Sequence, residues 1–314
     1  PTRSALIGRG RWLPLKVGLA LCCAVALPAA LIHRTQGQPG RLPEAVEAAA
    51  SEMHNGNPRL AECHQVSGVG SPSCVYGLQP VGAILLGDSH ANALAPALAA
   101  VAAKMRQGVV EWSYSGCPTL RGADRARRLA LGPGYSCPAF NEWVLGELAR
   151  HPNDLPIVII NRSSAYYAIA PTEPWEPAKP LVYFVDSASL TGQAFRDEFQ
   201  RRLVEATCSI AAHRPVYLMR PVPEMPFNIP KTLSRRLAAG WIGDVSIPRA
   251  AYQARHAWVW AAQDEAARRC GARILDPLPY LCDNERCYGS RNGRPLYYDD
   301  DHLSLTGNAL LSPM

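Results

Sequence analysis

The most constraining feature of the sequence is an apolar run that ends in the polar turn Gly87–His90. The apolar run is Val81–Leu86, and an alanine-rich segment with helical periodicity, Ala91–Met105, follows the turn. A short apolar run before a long helical pattern is typical of a βα unit, whose strand is buried in a parallel sheet. The sequence therefore predicts that Ser89 lies at the carboxyl end of a central strand, where α/β sheets bind their ligands.

The same alternation of apolar runs and helical patterns recurs further along the chain. Four more runs are predicted strands: Val109–Tyr114, Pro156–Ile160, Val216–Met219 and Arg273–Leu275. Three segments between or beside them are predicted helices: Phe140–Ala149, Ala194–Ala212 and Ala250–Arg269. Five strands with crossover helices predict an α/β fold, a doubly wound α/β/α sandwich around a mostly parallel five-stranded sheet.

A second polar cluster, Asp299–His302, lies twelve residues before the end of the chain. A serine hydroxyl becomes a nucleophile only beside an imidazole, and the imidazole needs an acid to orient it. We therefore predict Ser89 as the nucleophile, His302 as its base and an aspartate of the cluster as the orienting acid. Two alternatives remain at this stage: Ser89 as a helix N-cap, and the aspartates as a solvated turn or calcium loop, although no EF-hand spacing surrounds them.

The first 36 residues differ in character from the rest of the chain. Arg3, Arg9, Arg11 and Lys16 precede the apolar stretch Val17–Ile32. This pattern predicts a transmembrane helix, with a cleaved signal peptide as the main alternative. Because the basic excess precedes the apolar stretch, both interpretations place the later residues outside the cytoplasm. Residues 37–60 are a predicted linker with a helix leading into the domain, and residues 61–314 are a predicted catalytic domain.

Cysteine usage supports this placement. Cys22 and Cys23 lie in the apolar stretch, and an even number of cysteines after a translocation segment indicates disulfides. Sequence proximity suggests three pairs and leaves a fourth, one choice among many connectivities: Cys63–Cys74, Cys117–Cys137, Cys282–Cys287 and Cys208–Cys270. A zinc site is the alternative, but the sequence has no Cys-x-x-Cys pair.

Composition excludes one functional class. The chain has 314 residues, 48% of them hydrophobic, and a net charge of +6. Aromatic and basic residues do not interleave as they do in nucleic-acid modules, so we expect no nucleic-acid partner. The basic run Arg125, Arg127 and Arg128 is interpreted as a solvated face, with an anionic-glycan contact as the alternative.

Three motifs carry a resemblance to a known family. Gly87–His90, Ser115–Pro118 and Tyr297–Ser304 resemble motifs of the SGNH hydrolase superfamily. Over roughly residues 60 to 312, the chain is most similar to the extracytoplasmic SGNH domain fused to membrane acyltransferases of the acyltransferase-three type, which O-acetylate bacterial surface glycans. The resemblance implies a flavodoxin-like α/β/α fold. It also implies that the N-terminal apolar helix corresponds to the last membrane helix before the SGNH domain.

The resemblance assigns roles to individual residues. It places the nucleophile on Ser89, the acid on Asp299 in preference to Asp300 and Asp301, and the base on His302. The oxyanion-hole N–H groups then belong to Ser89 and Gly116.

The oxyanion-hole asparagine is less closely matched. The family sets it in a Gly-x-Asn-Asp motif, whereas the strand here ends in Ile160-Asn161-Arg162. Asn161 is the candidate and Arg162 the alternative. His90, Arg162 and Arg220 are further predicted to contact substrate.

The predicted reaction is extracytoplasmic acyl transfer through an acyl-serine, as in O-acetylation of a cell-surface glycan, with no metal or other cofactor. The expected partners are an acylated donor, a glycan acceptor, the membrane, and a membrane acyltransferase domain or protein that supplies acyl groups. An esterase or deacetylase with the same triad is the first alternative. An inactive glycan-binding or partner-docking domain is the second.

Overall fold

The computed structural model describes residues 12–35, 37, 40–126, 132–152, 154–168 and 179–314. The basic residues Arg3, Arg9, Arg11, Arg127 and Arg128 lie outside the described residues.

The strands of the described residues are β1 (His64–Gln65), β2 (Cys74–Gly77), β3 (Val81–Gly87), β4 (Gly108–Tyr114), β5 (Ala123–Arg125), β6 (Ile157–Ile160), β7 (Val182–Phe184), β8 (Val216–Met219), β9 (Ser246–Pro248), β10 (Arg273–Leu275), β11 (Arg286–Tyr288), β12 (Ser290–Arg291) and β13 (Arg294–Pro295). The helices are α1 (Leu13–Arg34), α2 (Glu44–Ser51), α3 (Leu60–Cys63), α4 (Ser89–Lys104), α5 (Cys137–Leu148), α6 (Gly192–Ala211), α7 (Ile229–Ala238), α8 (Arg249–Cys270), α9 (Leu278–Leu281) and α10 (Leu305–Leu311). Two 3₁₀ turns span Glu52–His54 and Ser163–Tyr166.

The central sheet has seven strands in the order β1-β4-β3-β6-β8-β10, with β2 also paired to β4. All neighbours are parallel except β2, which runs antiparallel to β4. The middle strands are apolar because both of their faces are covered; every residue of β6 is buried. The prediction of a mostly parallel, doubly wound sheet is confirmed.

The predicted number of strands is wrong by two. β3, β4, β6, β8 and β10 coincide with the five predicted strands, but β1 and β2 extend the sheet beyond β4. Two residues of β1 and four of β2 are too short to show a period-2 pattern. Their places are set by backbone pairing to β4 rather than by an apolar run of their own.

Helices cover both faces of the sheet. On one face, α4 and α10 pack on a core that includes Leu85, Val158 and Met219. On the other face, α5, α6 and α8 pack on a core that includes Leu86 and Trp112. This alternation of neighbouring strand residues between the two cores is the three-layer α/β/α architecture.

The N-terminal helix α1 is separate from this core. It has 22 residues, none of them buried, and an 18-residue window within it has a mean hydropathy of 2.2. At a rise of about 1.5 Å per residue it is about 33 Å long, enough to cross the roughly 30 Å hydrocarbon core of a bilayer. The next helix, α2, buries Val46 and Ala49 against the domain, so part of the predicted linker contributes to the domain core.

All four predicted disulfide pairs are confirmed: Cys63–Cys74, Cys117–Cys137, Cys208–Cys270 and Cys282–Cys287. The Cys208–Cys270 bond joins α6 to α8, which lie side by side on the sheet.

Candidate active site

A tight turn places Ser89 at the carboxyl edge of the sheet. β3 ends at Gly87, where an added Cβ would collide with the carbonyl oxygen of Ile160 in the neighbouring strand. Asp88 caps α4 by accepting a hydrogen bond from the His90 N–H at 2.9 Å. The N-cap is therefore Asp88 and not Ser89, whose hydroxyl is left for other partners.

Backbone contacts hold the distal loop Asp299–His302 against the same edge. The N–H of Met225 donates to the carbonyl oxygen of Asp300 at 2.8 Å, and the N–H of Ile229 donates to that of Asp299 at 2.9 Å. Within the loop, Asp299 Oδ1 accepts the N–H groups of Asp301 and His302 at 3.0 and 2.7 Å. These bonds fix the direction in which the His302 ring points.

The structure brings the three predicted triad residues together. His302 Nε2 lies 2.8 Å from Ser89 Oγ, although 213 positions separate them in sequence. His302 Nδ1 lies 2.8 Å from Asp299 Oδ2. Ser89 and His302 are both half-buried, so a substrate can reach them from solvent. This linear arrangement of hydroxyl, imidazole and carboxylate is that of an activated serine nucleophile.

A second carboxylate contacts the same imidazole nitrogen. Asp301 Oδ1 lies 2.6 Å from His302 Nδ1, and its other oxygen pairs with the Arg162 guanidinium. Arg162 also pairs with Glu224 at 3.2 Å, and Arg255 pairs with Glu224 at 2.9 Å. An alternating row of negative and positive groups therefore extends from the imidazole into the protein.

These charges set the proton affinity of the site. Burial lowers the pKa of His302, but the charges of Asp301 and Asp299 outweigh burial and raise the pKa to about 10. Burial raises the pKa of Asp299, yet its hydrogen bond to His302 and the charge of that ring bring it below the usual value. Burial also raises the pKa of Glu224, and Arg162 and Arg255 more than offset this effect.

Asp88, which directly precedes Ser89, is the centre of a separate hydrogen-bond network. The Asp88 carboxylate accepts the N–H of Arg162 at 2.8 Å and lies 2.5 Å from the Tyr166 hydroxyl. The same hydroxyl lies 3.1 Å from Asn161 Oδ1, while Asn161 Nδ2 donates to Thr119 Oγ1 at 3.0 Å. Asp88 is fully buried, and burial raises its pKa. The network orients the Asn161 amide at the edge where Ser89 emerges.

Gly116 lies in the loop after β4, also at the carboxyl edge. Its φ of +57° belongs to the left-handed region, which favours glycine. An added Cβ would collide with the guanidinium of Arg125, which therefore lies directly against this glycine. Arg125 thus faces the predicted oxyanion loop, whereas the sequence favoured a solvated position for it.

His90 and Arg220, predicted to contact substrate, occupy different environments. The His90 ring centroid is 4.6 Å from that of His302, and burial lowers the pKa of His90 well below its usual value. Arg220 pairs with Asp264 at 2.8 Å and lies over the Trp260 ring, and neither residue belongs to the triad. The structure therefore brings His90, but not Arg220, into contact with the His302 imidazole.

Two groups of side chains at the site have the composition of a metal centre: Asp299, Asp300 and Asp301, and a second group that includes His302. His90, Asp301 and His302 bring three potential ligand atoms within 4.8 Å of one another. The hydrogen bonds of His302 to Ser89 and to the aspartates already use both ring nitrogens.

Sequence reasoning missed Glu224 and Tyr166, and it passed over Asp301 in favour of Asp299. Asp301 carried a usable signal, because it stands directly before His302. Glu224 and Tyr166 carried none, since Glu224 is 62 positions from its partner Arg162 and Tyr166 is 78 positions from its partner Asp88.

Comparisons with known proteins agree with this fold. A family model described as "SGNH domain (fused to AT3 domains)" matches residues 62–314. Among solved structures, the periplasmic domain of a lipopolysaccharide acetyltransferase from Salmonella ser. Paratyphi A is similar in fold, with a TM-score of 0.54 and 14% sequence identity. The alignment covers 88% of this chain and 96% of that domain. No curated protein matches the sequence.

Proposed function

The chain belongs to the family of SGNH domains fused to AT3 domains, and we propose that it transfers acyl groups outside the cytoplasm through an acyl-serine. The observation that carries this proposal is the 2.8 Å contact between Ser89 Oγ and His302 Nε2. The two residues are 213 positions apart in sequence, and an imidazole within hydrogen-bond reach is what activates a serine hydroxyl as a nucleophile.

The proposed reaction has two halves. In the first, His302 Nε2 takes the Ser89 proton while Oγ attacks the carbonyl carbon of an acyl donor. The N–H groups of Ser89 and Gly116 and the side chain of Asn161 stabilise the tetrahedral oxyanion. The intermediate then collapses, the imidazolium returns its proton to the leaving group, and Ser89 keeps the acyl group as an ester.

In the second half, an acceptor hydroxyl gives its proton to His302 and attacks the acyl-serine. The second tetrahedral intermediate collapses, His302 returns the proton to Ser89 Oγ, and the products are the acylated acceptor and free Ser89. Asp299 orients the imidazole in both halves and stabilises its charged form.

The proposed acceptor is a hydroxyl of a cell-surface glycan and the proposed acyl group is acetyl. The similar fold of a lipopolysaccharide acetyltransferase periplasmic domain supports this choice. Helix α1, long and apolar enough to cross a membrane, supports a membrane anchor with the domain on the extracytoplasmic side. Four disulfide bonds also suit an oxidising compartment. A membrane acyltransferase domain is the proposed source of acyl groups.

Hydrolysis of acylated glycans is a second candidate function. Ser89 and His302 are both partly exposed, so water can compete with a sugar hydroxyl for the acyl-serine. The two functions share the first half-reaction and differ only in the acceptor.

A serine-directed fluorophosphonate tests the shared chemistry. We expect the full chain to be labelled and Ser89→Ala to remain unlabelled, with Ser51→Ala as a control because Ser51 is exposed on α2. Lack of labelling of the wild-type chain, with its disulfides intact, would contradict the proposal. Supplying an acyl donor and glycans then separates transferase from esterase, by whether the acyl group is recovered on sugar or as free acid.

A further inference from the structure

Besides His90, another histidine outside the triad lies at the carboxyl edge of the sheet. His64 begins β1, which pairs with β4 so that His64 is opposite Ser113; Ser113 is in turn opposite Gly87 of β3. Adjacent strands are about 4.8 Å apart. His64 is therefore two strands away from the end of β3, from which Ser89 emerges.

A chain of buried hydrogen bonds leads away from this histidine. His64 Nδ1 lies 2.8 Å from Ser113 Oγ, and Ser113 Oγ lies 2.5 Å from Glu111 Oε1. Asn92 Nδ2 donates to the same glutamate oxygen at 2.8 Å. Glu111, Ser113 and Asn92 are fully buried, so these partners are fixed rather than exchanged with water.

The direction of each bond follows from the chemistry of the groups. An amide N–H₂ can only donate, so Glu111 Oε1 is an acceptor. The Ser113 hydroxyl has a single proton, which it donates to Glu111, and its lone pairs are left to accept from His64. Nδ1 of His64 must then carry the proton, which leaves a lone pair on Nε2. His64 is half-buried, and its Nε2 has no hydrogen-bond partner among the described residues.

The segment that carries His64 also borders the catalytic imidazole. Gly56 lies against the Tyr298 ring, and Tyr298 stacks on His302 with ring centroids 5.3 Å apart. Burial lowers the pKa of His64 to about 4, and the charge of His302 contributes to this shift. His64 is thus neutral at physiological pH and lies within the electrostatic reach of His302.

We propose that His64 forms part of the acceptor site, where its Nε2 accepts a hydrogen bond from a sugar hydroxyl. This inference rests on the proposed transferase function. An incoming hydroxyl must reach His302 Nε2 to lose its proton, so the acceptor binds on the side of Ser89 that His302 occupies. His64 lies two strands from the end of β3, about 10 Å across the sheet, so its lone pair can hold another hydroxyl of the same sugar and favour sugar over water.

The tautomer can be measured without any substrate. Nitrogen-15 NMR of the full chain, labelled at histidine, reports which ring nitrogen carries the proton. We expect His64 to be neutral with the proton on Nδ1 at neutral pH, and to lose this preference in Ser113→Ala. A proton on Nε2 in the wild-type chain would overturn the proposal.

The role in acceptor binding is tested by partitioning of the acyl-enzyme. p-Nitrophenyl acetate serves as the donor and a panel of methyl glycosides as acceptors; the burst of nitrophenol measures acylation of Ser89. The ratio of acetylated sugar to free acetate measures the choice of acceptor. We expect His64→Ala to lower this ratio about three- to tenfold, the worth of one neutral hydrogen bond, with an unchanged burst. His64→Gln, which offers an amide oxygen in place of Nε2, should recover part of the ratio.

The controls separate this inference from the function on which it rests. His213→Ala changes an exposed histidine and should leave both readouts unchanged. Absence of a burst in the wild-type chain would contradict the acyl-serine itself. A normal burst with no transfer to any sugar would contradict the transferase function and the acceptor site with it. A normal burst with an unchanged ratio in His64→Ala would overturn the acceptor site alone. A slower burst at constant ratio would place His64 on the donor side and also overturn it.

Discussion

His302 and His64 lie at the same edge of the sheet, and their surroundings give the two imidazoles opposite proton affinities. Burial lowers the pKa of both rings. At His302 the carboxylates of Asp301 and Asp299 outweigh this effect and raise the pKa to about 10. At His64 the partner is the neutral hydroxyl of Ser113, and the pKa falls to about 4. The groups that contact Nδ1 therefore distinguish the two rings. Carboxylates favour the doubly protonated, charged form of His302, whereas a neutral hydroxyl gives His64 no such support.

This difference in pKa matches the different roles that we propose for the two rings, a general base for His302 and a hydrogen-bond acceptor for His64. Because its pKa is raised, we expect resting His302 to be protonated at neutral pH and to lose that proton before it acts as a base, so acylation should accelerate as the pH rises towards its pKa. His64 remains neutral over the same range and serves as a hydrogen-bond acceptor. Four sets of variants test whether the two histidines have these separate roles, from the largest expected effect to the smallest.

Replacing each histidine in turn gives the largest contrast. His302→Ala removes the base and should slow acylation of Ser89 by about 10⁶-fold, as loss of the histidine does in serine proteases. His64→Ala should leave the acylation rate within about threefold, because one acceptor hydrogen bond is absent from this half-reaction. Burst kinetics with p-nitrophenyl acetate measure both rates. Similar losses in the two variants would show that the two histidines do not have these separate roles.

The two carboxylates at His302 can be separated by amides. Asp299→Asn should slow acylation by about 10²-fold, because Asp301 still contacts Nδ1. The double variant Asp299→Asn/Asp301→Asn should lose about 10⁴-fold, the cost of leaving the imidazole without a carboxylate. If the single variant is already as slow as the double one, Asp301 gives no support to the base.

A variant that touches neither histidine sharpens the comparison. Asn161→Ala should slow acylation by about 10²- to 10³-fold if its amide is one of the oxyanion donors. The pH dependence of the rate should remain that of the wild-type chain, because no charge near His302 has changed. A full rate in this variant would leave the oxyanion to the N–H groups of Ser89 and Gly116, with Arg162 as the alternative side-chain donor.

The smallest effect is a shift in pH profile. Asp301 raises the pKa of His302, so Asp301→Asn should make the ring neutral at lower pH. The acid limb of kcat/KM should therefore move down by about one to two pH units, the usual effect of one nearby charge. Asp300→Asn is the matched control, since that carboxylate has no hydrogen bond to His302. An acid limb at unchanged or higher pH would show that Asp301 does not raise the pKa of His302.

Much of the fold was predictable because its signals are local. The five central strands are continuous apolar runs, and a buried parallel strand has no polar face to interrupt the pattern. Ser89 stands in a polar motif directly after such a run, so its position at the carboxyl edge follows from the rule that α/β sheets bind their ligands there. His302 follows no central strand, and its contact with Ser89 was predicted from the needs of a serine nucleophile and from the family resemblance. The Cys208–Cys270 pair followed only after the nearer cysteines were paired.

The features that the sequence did not predict depend on contacts between segments that are distant in sequence. β1 is two residues long and exists only because β4 pairs with it. The link from Asp301 through Arg162 to Glu224 joins three separate loops, so no spacing in the sequence encodes it. The His64 network left one visible signal: Glu111 is a charged residue in the middle of a buried strand, which requires a buried partner.

The most direct test of the account is to locate the acyl group after reaction with p-nitrophenyl acetate and an acid quench, by peptide mass spectrometry of the full chain. The account predicts one acetyl group, carried by Ser89, and none at this site or elsewhere in Ser89→Ala. Acetylation of another residue with Ser89 unmodified, or undiminished turnover in Ser89→Ala, would contradict it.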